Sequence, residues 1–282
     1  MLKYLRMDAY RLVKGKMLYV TLGIILAMSM FSVIMMRVTA MPELGSTVSF
    51  SVGLTDGSAP GSMAGQNGME LAELTQLHAN MWVSGGAMAS IVCLVIALFF
   101  ALDFSSGYVK NLPSSRRDRL AYYGGKILLI VMLSALFLAF GMVSFELFRA
   151  MTGFTYARAT SVAEIAVWFG SALVVVSMYG ALTSLVTWLT QNKVAGIVAA
   201  LVVGSGVVGA VLVMALTSLS VAWEPLARVA EWLPYSSYAL LAQGGEALLA
   251  SPGDVGHILV TCGTVLVACI AAALGVCSRK DV

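Results

Sequence analysis

Residues 103–126 read DFSSGYVKNLPSSRRDRLAYYGGK, and this polar stretch decides how the rest of the chain is interpreted. Two apolar runs flank it directly, and each has the roughly 20 residues that a helix needs to cross a bilayer. Several of its side chains are basic, and a basic loop between two membrane spans is expected on the cytoplasmic side. The stretch therefore predicts a cytoplasmic loop between a second and a third transmembrane helix.

The loop has a specific local pattern of helix-breaking and helix-capping residues. Gly107 can end the helix that leaves the membrane, and Pro113 stops the short helix predicted over residues 108–112. Ser115, followed three residues later by Asp118, approximates a capping box for a new helix. We expect a helix end, a short transverse helix, a break and a new helix, a shape suited to contact with a cytoplasmic partner.

The order of residues in this loop resembles the permease subunits of type-2 ABC exporters. An acidic residue is followed by Gly, Lys-Asn-Leu, Ser-Arg and a Gly-Lys pair that opens the third span. The family more often has Glu at Asp103 and Thr-Leu-Lys at 108–110. The resemblance implies a coupling helix that docks on the ATPase subunit, formed by Asp103, Gly107, Tyr108, Lys110, Asn111, Leu112, Pro113, Arg116, Arg117 and Arg119. The alternative is a basic loop that only sets the topology.

Composition alone places the chain in a membrane. Apolar residues make up 60% of it and charged residues 11%, whereas soluble domains carry about 25% charged residues. The net charge of +3 is small, and no dense basic and aromatic surface of the kind that binds nucleic acid is present.

Hydropathy predicts an all-α protein with six transmembrane helices in one domain, residues 1–282. The spans are expected near residues 17–36, 81–102, 126–148, 163–188, 194–217 and 256–277. Residues 69–81 are expected to extend the second span, and residues 190–193 to form a tight hairpin between the fourth and fifth spans. Glu146 and Arg149, three residues apart, are expected to pair.

Two flanking segments complete the layout. Residues 1–16 form a basic amphipathic helix expected to lie in the headgroup plane, although a signal-peptide interpretation is the alternative. Residues 218–254 combine aromatic residues with prolines, which predicts short re-entrant helices on the external side, or else a plain surface loop. Members of the resembled family have both features.

The distribution of basic residues predicts the orientation. Thirteen lie on the side of the termini and of the 103–126 loop, and four lie on the other side, so that both termini are expected in the cytoplasm. The four are Arg37, Arg149, Arg158 and Arg228. We expect a multi-pass protein of the cell membrane.

Catalytic and cofactor-binding motifs are missing from the sequence. Neither Gly-Lys pair is followed by Ser or Thr, so there is no Walker A motif, and the four cysteines lack metal-ligand spacing. His78 and His257 are expected to be solvated residues near the outer ends of their spans. We therefore expect a chain that is not an enzyme and binds no cofactor itself.

A stripe of small residues marks the fifth predicted span. Gly196, Ala200 and Gly204 recur at intervals of four, a pattern that lets two helices approach closely in lipid. The pattern alone leaves open whether the contact lies within one subunit or between two. In the resembled family the fifth span lies near the dimer centre and the substrate pathway.

The resemblance implies a transport subunit that works with several partners. These are two copies of an ATP-binding cassette ATPase, which holds ATP and Mg²⁺, a second permease subunit, identical or paralogous, and the lipid bilayer. The near absence of charge within the predicted spans favours export of an apolar or amphipathic substrate, such as a peptide, drug or lipid. The alternatives are a secondary transporter or channel, and a membrane scaffold that recruits a cytoplasmic partner.

Overall fold

The computed structural model describes residues 2–39, 70–71, 73–105, 116–220 and 223–279. These ranges are almost entirely helical, which confirms the all-α class. The helices are α1 (Leu2–Lys14), α2 (Lys16–Thr39), α3 (Leu74–His78), α4 (Ala87–Ser105), α5 (Arg116–Thr152), α6 (Val162–Thr190), α7 (Lys193–Gly204), α8 (Val207–Ser220), α9 (Pro225–Glu231), α10 (Ser236–Ala242), α11 (Gly245–Ala250) and α12 (Pro252–Arg279). A π-helical turn covers Ala79–Val83, and two-residue strands β1 (Glu70–Leu71) and β2 (Thr155–Tyr156) pair in parallel.

Five of the described helices are long and apolar enough to cross a membrane, namely α2, α4, α5, α6 and α12. Helices α7 and α8 pass the same test together, but they bend by 50° at their junction. The pair is therefore either one broken span or a re-entrant loop. The described residues thus hold five candidate membrane-spanning helices, or six if the bent pair is one span, as in a membrane-embedded helical protein.

The fifth predicted span, residues 194–217, is helical but bent within its length. Gly206 adopts a φ of +72°, a left-handed conformation that glycine tolerates and that ends α7 before α8 begins. Tyr235 packs against the break, because a β-carbon on Gly206 would come within 3.2 Å of its ring and one on Gly209 within 2.7 Å of its Cβ. The glycines in this region have three roles. Gly204 allows close helix packing, Gly206 allows the bend, and Gly206 and Gly209 leave room for the Tyr235 ring.

The ends of the second and third spans also differ from the prediction. Residues 74–83 are helical, as expected, but a turn at Ser84–Gly86 separates them from α4. Helix α5 runs without interruption from Arg116 to Thr152, so the residues just after Ser115 belong to the same helix as the third span. Residues 106–115, where the short transverse helix was expected, lie outside the described part of the chain.

Helices α4 and α6 form the centre of the molecule. Helix α4 packs against α6 and α7, while α6 also contacts α12 and α5. Large side chains are fully buried around this centre, including Trp82, Trp168 and Phe137. Helix α5 in turn packs against α2 and α1, so the N-terminal helices are attached to the core through α5.

The tight connection between α6 and α7 is confirmed. Gln191 takes a left-handed conformation with φ of 50°, which ends α6 at Thr190. The Asn192 side chain then accepts a hydrogen bond from the Val194 backbone amide at 2.8 Å and starts α7. An Asn cap of this type satisfies one of the unpaired amides at a helix N-terminus.

Candidate functional site

A buried group of charged residues joins three helices at one end of the bundle. The Lys126 Nζ atom lies 2.6 Å from the Asp103 Oδ2 atom and 3.0 Å from the Asp8 Oδ2 atom. Arg11 donates to the other Asp103 oxygen at 2.7 Å, and the Tyr122 hydroxyl donates to Asp103 Oδ2 at 2.6 Å. We call these five residues the Lys126 cluster. It connects α1, α4 and α5 through direct polar contacts.

Helix geometry explains how each side chain reaches this point. Asp8 and Arg11 are three residues apart on α1, and Tyr122 and Lys126 are four apart on α5, so each pair occupies one face of its helix. Asp103 stands near the C-terminal end of α4. The two ends of the segment 103–126 are thus held together by the ion pair between Asp103 and Lys126.

Aromatic rings enclose the Lys126 ammonium group. It lies 4.6 Å from the ring centre of Phe99 and 5.1 Å from those of Phe100 and Tyr122. Phe100 in turn stacks on Trp188 of α6 at 5.3 Å between ring centres. A cation over aromatic faces is stabilised electrostatically, and more so away from water. The cluster is therefore packed rigidly into the core through α6.

Because the Lys126 cluster is buried, each of its charges needs a partner of opposite sign. Lys126 is 1% exposed, Asp8 0% and Asp103 2%, while two carboxylates face two basic groups, so the formal charges cancel. Burial raises the pKa of the Asp8 carboxyl, although the nearby Lys126 pulls in the opposite direction. A buried charge whose partner is removed costs about 3–5 kcal/mol. The arrangement therefore favours one fixed relative position of α1, α4 and α5.

The predicted coupling residues are placed only in part. Asp103 lies in the Lys126 cluster. The backbone of Arg116, Arg117 and Arg119 lies in the first turn of α5, and the described part of the structure does not include their side chains. Outside the described residues lie also Gly107, Tyr108, Lys110, Asn111, Leu112 and Pro113. The docking role of this loop stays a prediction.

The stripe of small residues contacts another helix of the same chain. A β-carbon on Gly204 would come within 2.8 Å of the Ser90 Cα atom of α4, and one on Gly196 within 3.6 Å of the Ala97 Cβ atom. Ala200, between them, is fully buried. The close approach that the pattern indicates is thus present between α7 and α4, and these three residues lend no support to a contact between two chains.

A second polar group lies at the opposite end of α5. Glu146 accepts a hydrogen bond from Arg149 Nε at 2.7 Å, which confirms the predicted pair, and another from the Tyr156 hydroxyl. Its Oε1 atom is 3.4 Å from the His78 Nε2 atom. We call these four residues the Glu146 cluster. Since 20 residues separate Lys126 from Glu146 on one helix, the two clusters stand about 30 Å apart, close to the thickness of the hydrocarbon core.

The expectation of a solvated His78 is wrong. Its side chain is fully buried, with ring centres of Phe145 at 5.1 Å and Trp168 at 6.4 Å. The π-helical turn Ala79–Val83 begins directly after His78. His257, by contrast, is half-buried beside Trp232, with ring centres 4.6 Å apart.

Further contacts bind the connecting segments at the Glu146 end. Arg158 pairs with Glu164 at the start of α6, at 2.6 Å, and with Glu246 of α11. The Gly245 amide donates to the Thr75 hydroxyl at 2.7 Å, which ties α11 to α3. Helix α11 is thereby attached to α3 and to the segment before α6 at that end.

Sequence reasoning missed most of the Lys126 cluster. In the sequence, Asp8 carries no prediction, Arg11 contributes only to the count of basic residues, and Lys126 contributes to that count and to the Gly-Lys pair of the family resemblance. The signal was nevertheless present, because Asp8 is the only acidic residue of α1 and lies on the face of Leu5 and Leu12. A lone carboxylate in an apolar stripe predicts a buried partner.

Comparison with known proteins gives no further indication of family: no protein-family model matches the chain, and no curated protein matches it. Within the part of the chain that the structure describes, no three His, Cys, Asp or Glu residues are placed to hold a metal ion together. Both polar clusters are built from ion pairs, several of which join different segments of the chain.

Proposed function

We propose that this chain is the membrane-spanning permease subunit of an ATP-driven type-2 ABC exporter. The observation that carries the proposal is the Lys126 cluster. It fastens both ends of the segment 103–126 to each other and to α1. A force applied to that segment from the cytoplasm would reach α1, α4 and α5 together, as a subunit driven by a separate motor requires.

The layout of the helices supports the same proposal. An amphipathic α1 leads directly into the first span α2, and three short helices, α9, α10 and α11, precede the last span α12. Trp223, Val229 and Trp232 in this region are more than half exposed. In a bilayer such apolar residues lie at or below the headgroups, so we infer that α9–α11 dip into the outer leaflet.

The orientation follows from the basic residues. Lys126, Arg11 and Lys193 lie on the side that carries most of the positive charge, which we assign to the cytoplasm. The termini then face the cytoplasm of the cell, and the Glu146 cluster lies at the outer interface. Arg158, close to the start of α6, is one of the few basic residues on that outer side.

In the proposed cycle, separate ATPase subunits bind and hydrolyse ATP. Two ATPase subunits bind ATP and Mg²⁺ and close on each other, and each moves the 103–126 segment of one permease. A second permease subunit, identical or paralogous, completes the pathway, which we place between the subunits near α2, α4 and the bent α7–α8 pair. Exposed apolar side chains along α2 and α8, such as Phe31, Val211 and Met214, are compatible with such a boundary.

The interior of the membrane region favours an apolar or amphipathic substrate. Between Lys126 and Glu146, α5 carries no charged residue over about 30 Å. A naked, highly charged solute would find no compensating groups at that depth. Peptides, drugs and lipid-like molecules remain the matching classes.

The competing function is a secondary carrier, and the buried contact between His78 and Glu146 favours it. Such carriers place titratable groups along the path of the proton. However, these two residues lie at one end of the bundle, and the uncharged stretch of α5 separates them from the Lys126 cluster. A proton taken up at one cluster has no titratable side chain on α5 by which to reach the other.

Co-purification from native membranes tests the exporter proposal. We expect a tagged chain in mild detergent to bring down an ATPase with a Walker A motif. Reversal of two loop charges, Arg116→Glu with Arg117→Glu, should weaken the capture, whereas Arg37→Glu on the other side should not. Absence of the ATPase, or equal capture by both variants, would contradict the proposal.

The source of energy for transport distinguishes the exporter proposal from the secondary-carrier alternative. Uptake of an amphipathic dye into inside-out vesicles that contain the complex should require ATP, stop with orthovanadate and persist with a protonophore. Vesicles with the same chain but a Walker A mutant of the ATPase provide the background. Uptake that collapses with the proton gradient and persists without ATP would favour the carrier.

A further inference from the structure

An open cleft lies where α1 ends, α2 begins and α4 approaches its C-terminal end. Its volume is about 450 Å³, within the usual range of small-molecule sites. Gly15 forms the elbow between the two N-terminal helices, and a β-carbon there would come within 2.9 Å of the Arg11 carbonyl oxygen. Side chains of α1, of the first turn of α2 and of the last part of α4 line the rest of the cleft.

The polar half of the cleft is positively charged. Lys14 and Lys16 are exposed at its mouth, and Lys14 donates a hydrogen bond to the Tyr10 hydroxyl at 3.2 Å. Arg11 forms part of the wall, but its charge is balanced by Asp103. Since none of the described residues that line the cleft is acidic, two ammonium groups and a hydroxyl face an incoming anion there.

The other half of the cleft is apolar. Leu12 is buried beneath it, and Phe99 lies almost fully buried on the α4 side. Leu102 is 46% exposed and extends this apolar surface. An anionic head beside an apolar surface, at a helix that lies along the bilayer, is the pattern of a phospholipid.

We propose that this cleft binds one anionic phospholipid of the leaflet in which α1 lies. The phosphate contacts Lys14, Lys16 and the Tyr10 hydroxyl, and an acyl chain lies over Leu102 and Met17. The inference goes beyond the proposed transport function and requires only that the chain is embedded in a membrane. Because Arg11 borders both the cleft and the Lys126 cluster, the lipid head would lie next to the group that joins α1 to α4.

Native mass spectrometry of the purified full chain in mixed micelles tests the site. We expect one molecule of dioleoyl phosphatidylglycerol to be retained per chain in preference to phosphatidylcholine with the same acyl chains. Replacement of both lysines, Lys14→Gln with Lys16→Gln, should weaken retention roughly 30-fold, from about fivefold for each ammonium group. Lys14→Arg with Lys16→Arg should retain the lipid.

A matched control removes two charges from α1 outside the cleft, Lys3→Gln with Arg6→Gln, and should leave retention unchanged. Each variant is first shown to keep the wild-type unfolding midpoint, and Leu102→Trp, which fills the apolar half, gives a second way to block the site. Equal retention of both lipids, equal loss in the two glutamine pairs, or full displacement by inorganic phosphate would overturn the proposal, the last by showing a site for soluble anions.

Discussion

Lys126 shows how a charged residue can be fully buried next to the lipid region of a membrane protein. Two carboxylates and three aromatic rings replace the water that its ammonium group would otherwise require. The sequence marks Lys126 as the start of an apolar run, but nothing in the linear pattern identifies Asp8 as its partner. Contacts between residues 118 positions apart depend on how the helices pack, which local sequence does not determine.

Removal of the Lys126 charge should destabilise the protein strongly. In Lys126→Met, two buried carboxylates share one Arg11, and we expect a loss of about 3–5 kcal/mol. Addition of Asp8→Asn restores the balance of charge and should recover part of the loss. Thermal unfolding in detergent measures both, with the exposed Lys193→Met as the control. A double variant no more stable than the single one would show that charge balance does not hold the cluster.

The raised pKa of Asp8 predicts a pH dependence of definite sign. A carboxyl whose pKa is higher in the folded state binds more protons there, so its contribution to stability decreases as the pH rises from the ordinary Asp pKa, about 3.9, through the raised value. Relative to Asp8→Asn, the wild type should therefore lose stability across that window. Unfolding midpoints of the two proteins, measured side by side over the acidic range, check this. A constant difference, or one of opposite slope, would contradict the effect of burial.

At the scale of elements, the sequence predicts which segments are helical, but it does not predict where a helix bends or breaks. Five of the six predicted spans coincide with helices long and apolar enough to cross a membrane, because about 20 apolar residues in lipid have few alternatives to a helix. The bend between α7 and α8 depends on Gly206 and on Tyr235, 29 residues away, which occupies the space beside it. The same Gly and Ala spacing fits a straight span, so the pattern could not distinguish the two.

Gly204 should tolerate no side chain. A methyl group would come within 2.8 Å of the Ser90 Cα atom, and such overpacking costs about 1–3 kcal/mol in Gly204→Ala. Gly170→Ala in α6 is the matched control, because no atom lies within 4 Å of the added carbon. It should be neutral or slightly stabilising, since Ala is the better helix former. Equal stability of the two variants would place Gly204 outside a close helix contact.

At the scale of the whole molecule, the two polar clusters mark the two ends of the bundle, about 30 Å apart along α5. The sequence anticipated the pairing of Glu146 with Arg149 and the charge asymmetry between the ends. It did not anticipate that His78 is buried or that α1 is fastened to the loop ends, because both depend on contacts between distant segments.

The proposed topology predicts which exposed residues an impermeant thiol reagent can reach in intact cells. In a variant without its native cysteines, Ala159→Cys should be labelled, because it lies exposed between β2 and α6 at the Glu146 end. Gln191→Cys, exposed in the hairpin at the other end, should react only after the cells are opened. Labelling of Gln191→Cys in intact cells, with Ala159→Cys protected, would reverse the orientation.

Site-specific crosslinking from the 103–126 segment tests the central claim most directly. A photoreactive residue at Ser114, activated in native membranes, should capture an ATPase that carries a Walker A motif. The same residue at Ala159, on the opposite side, should capture none. Capture of the ATPase at Ser114 alone is the result that the exporter account predicts, and absence of an ATPase at Ser114 would contradict it.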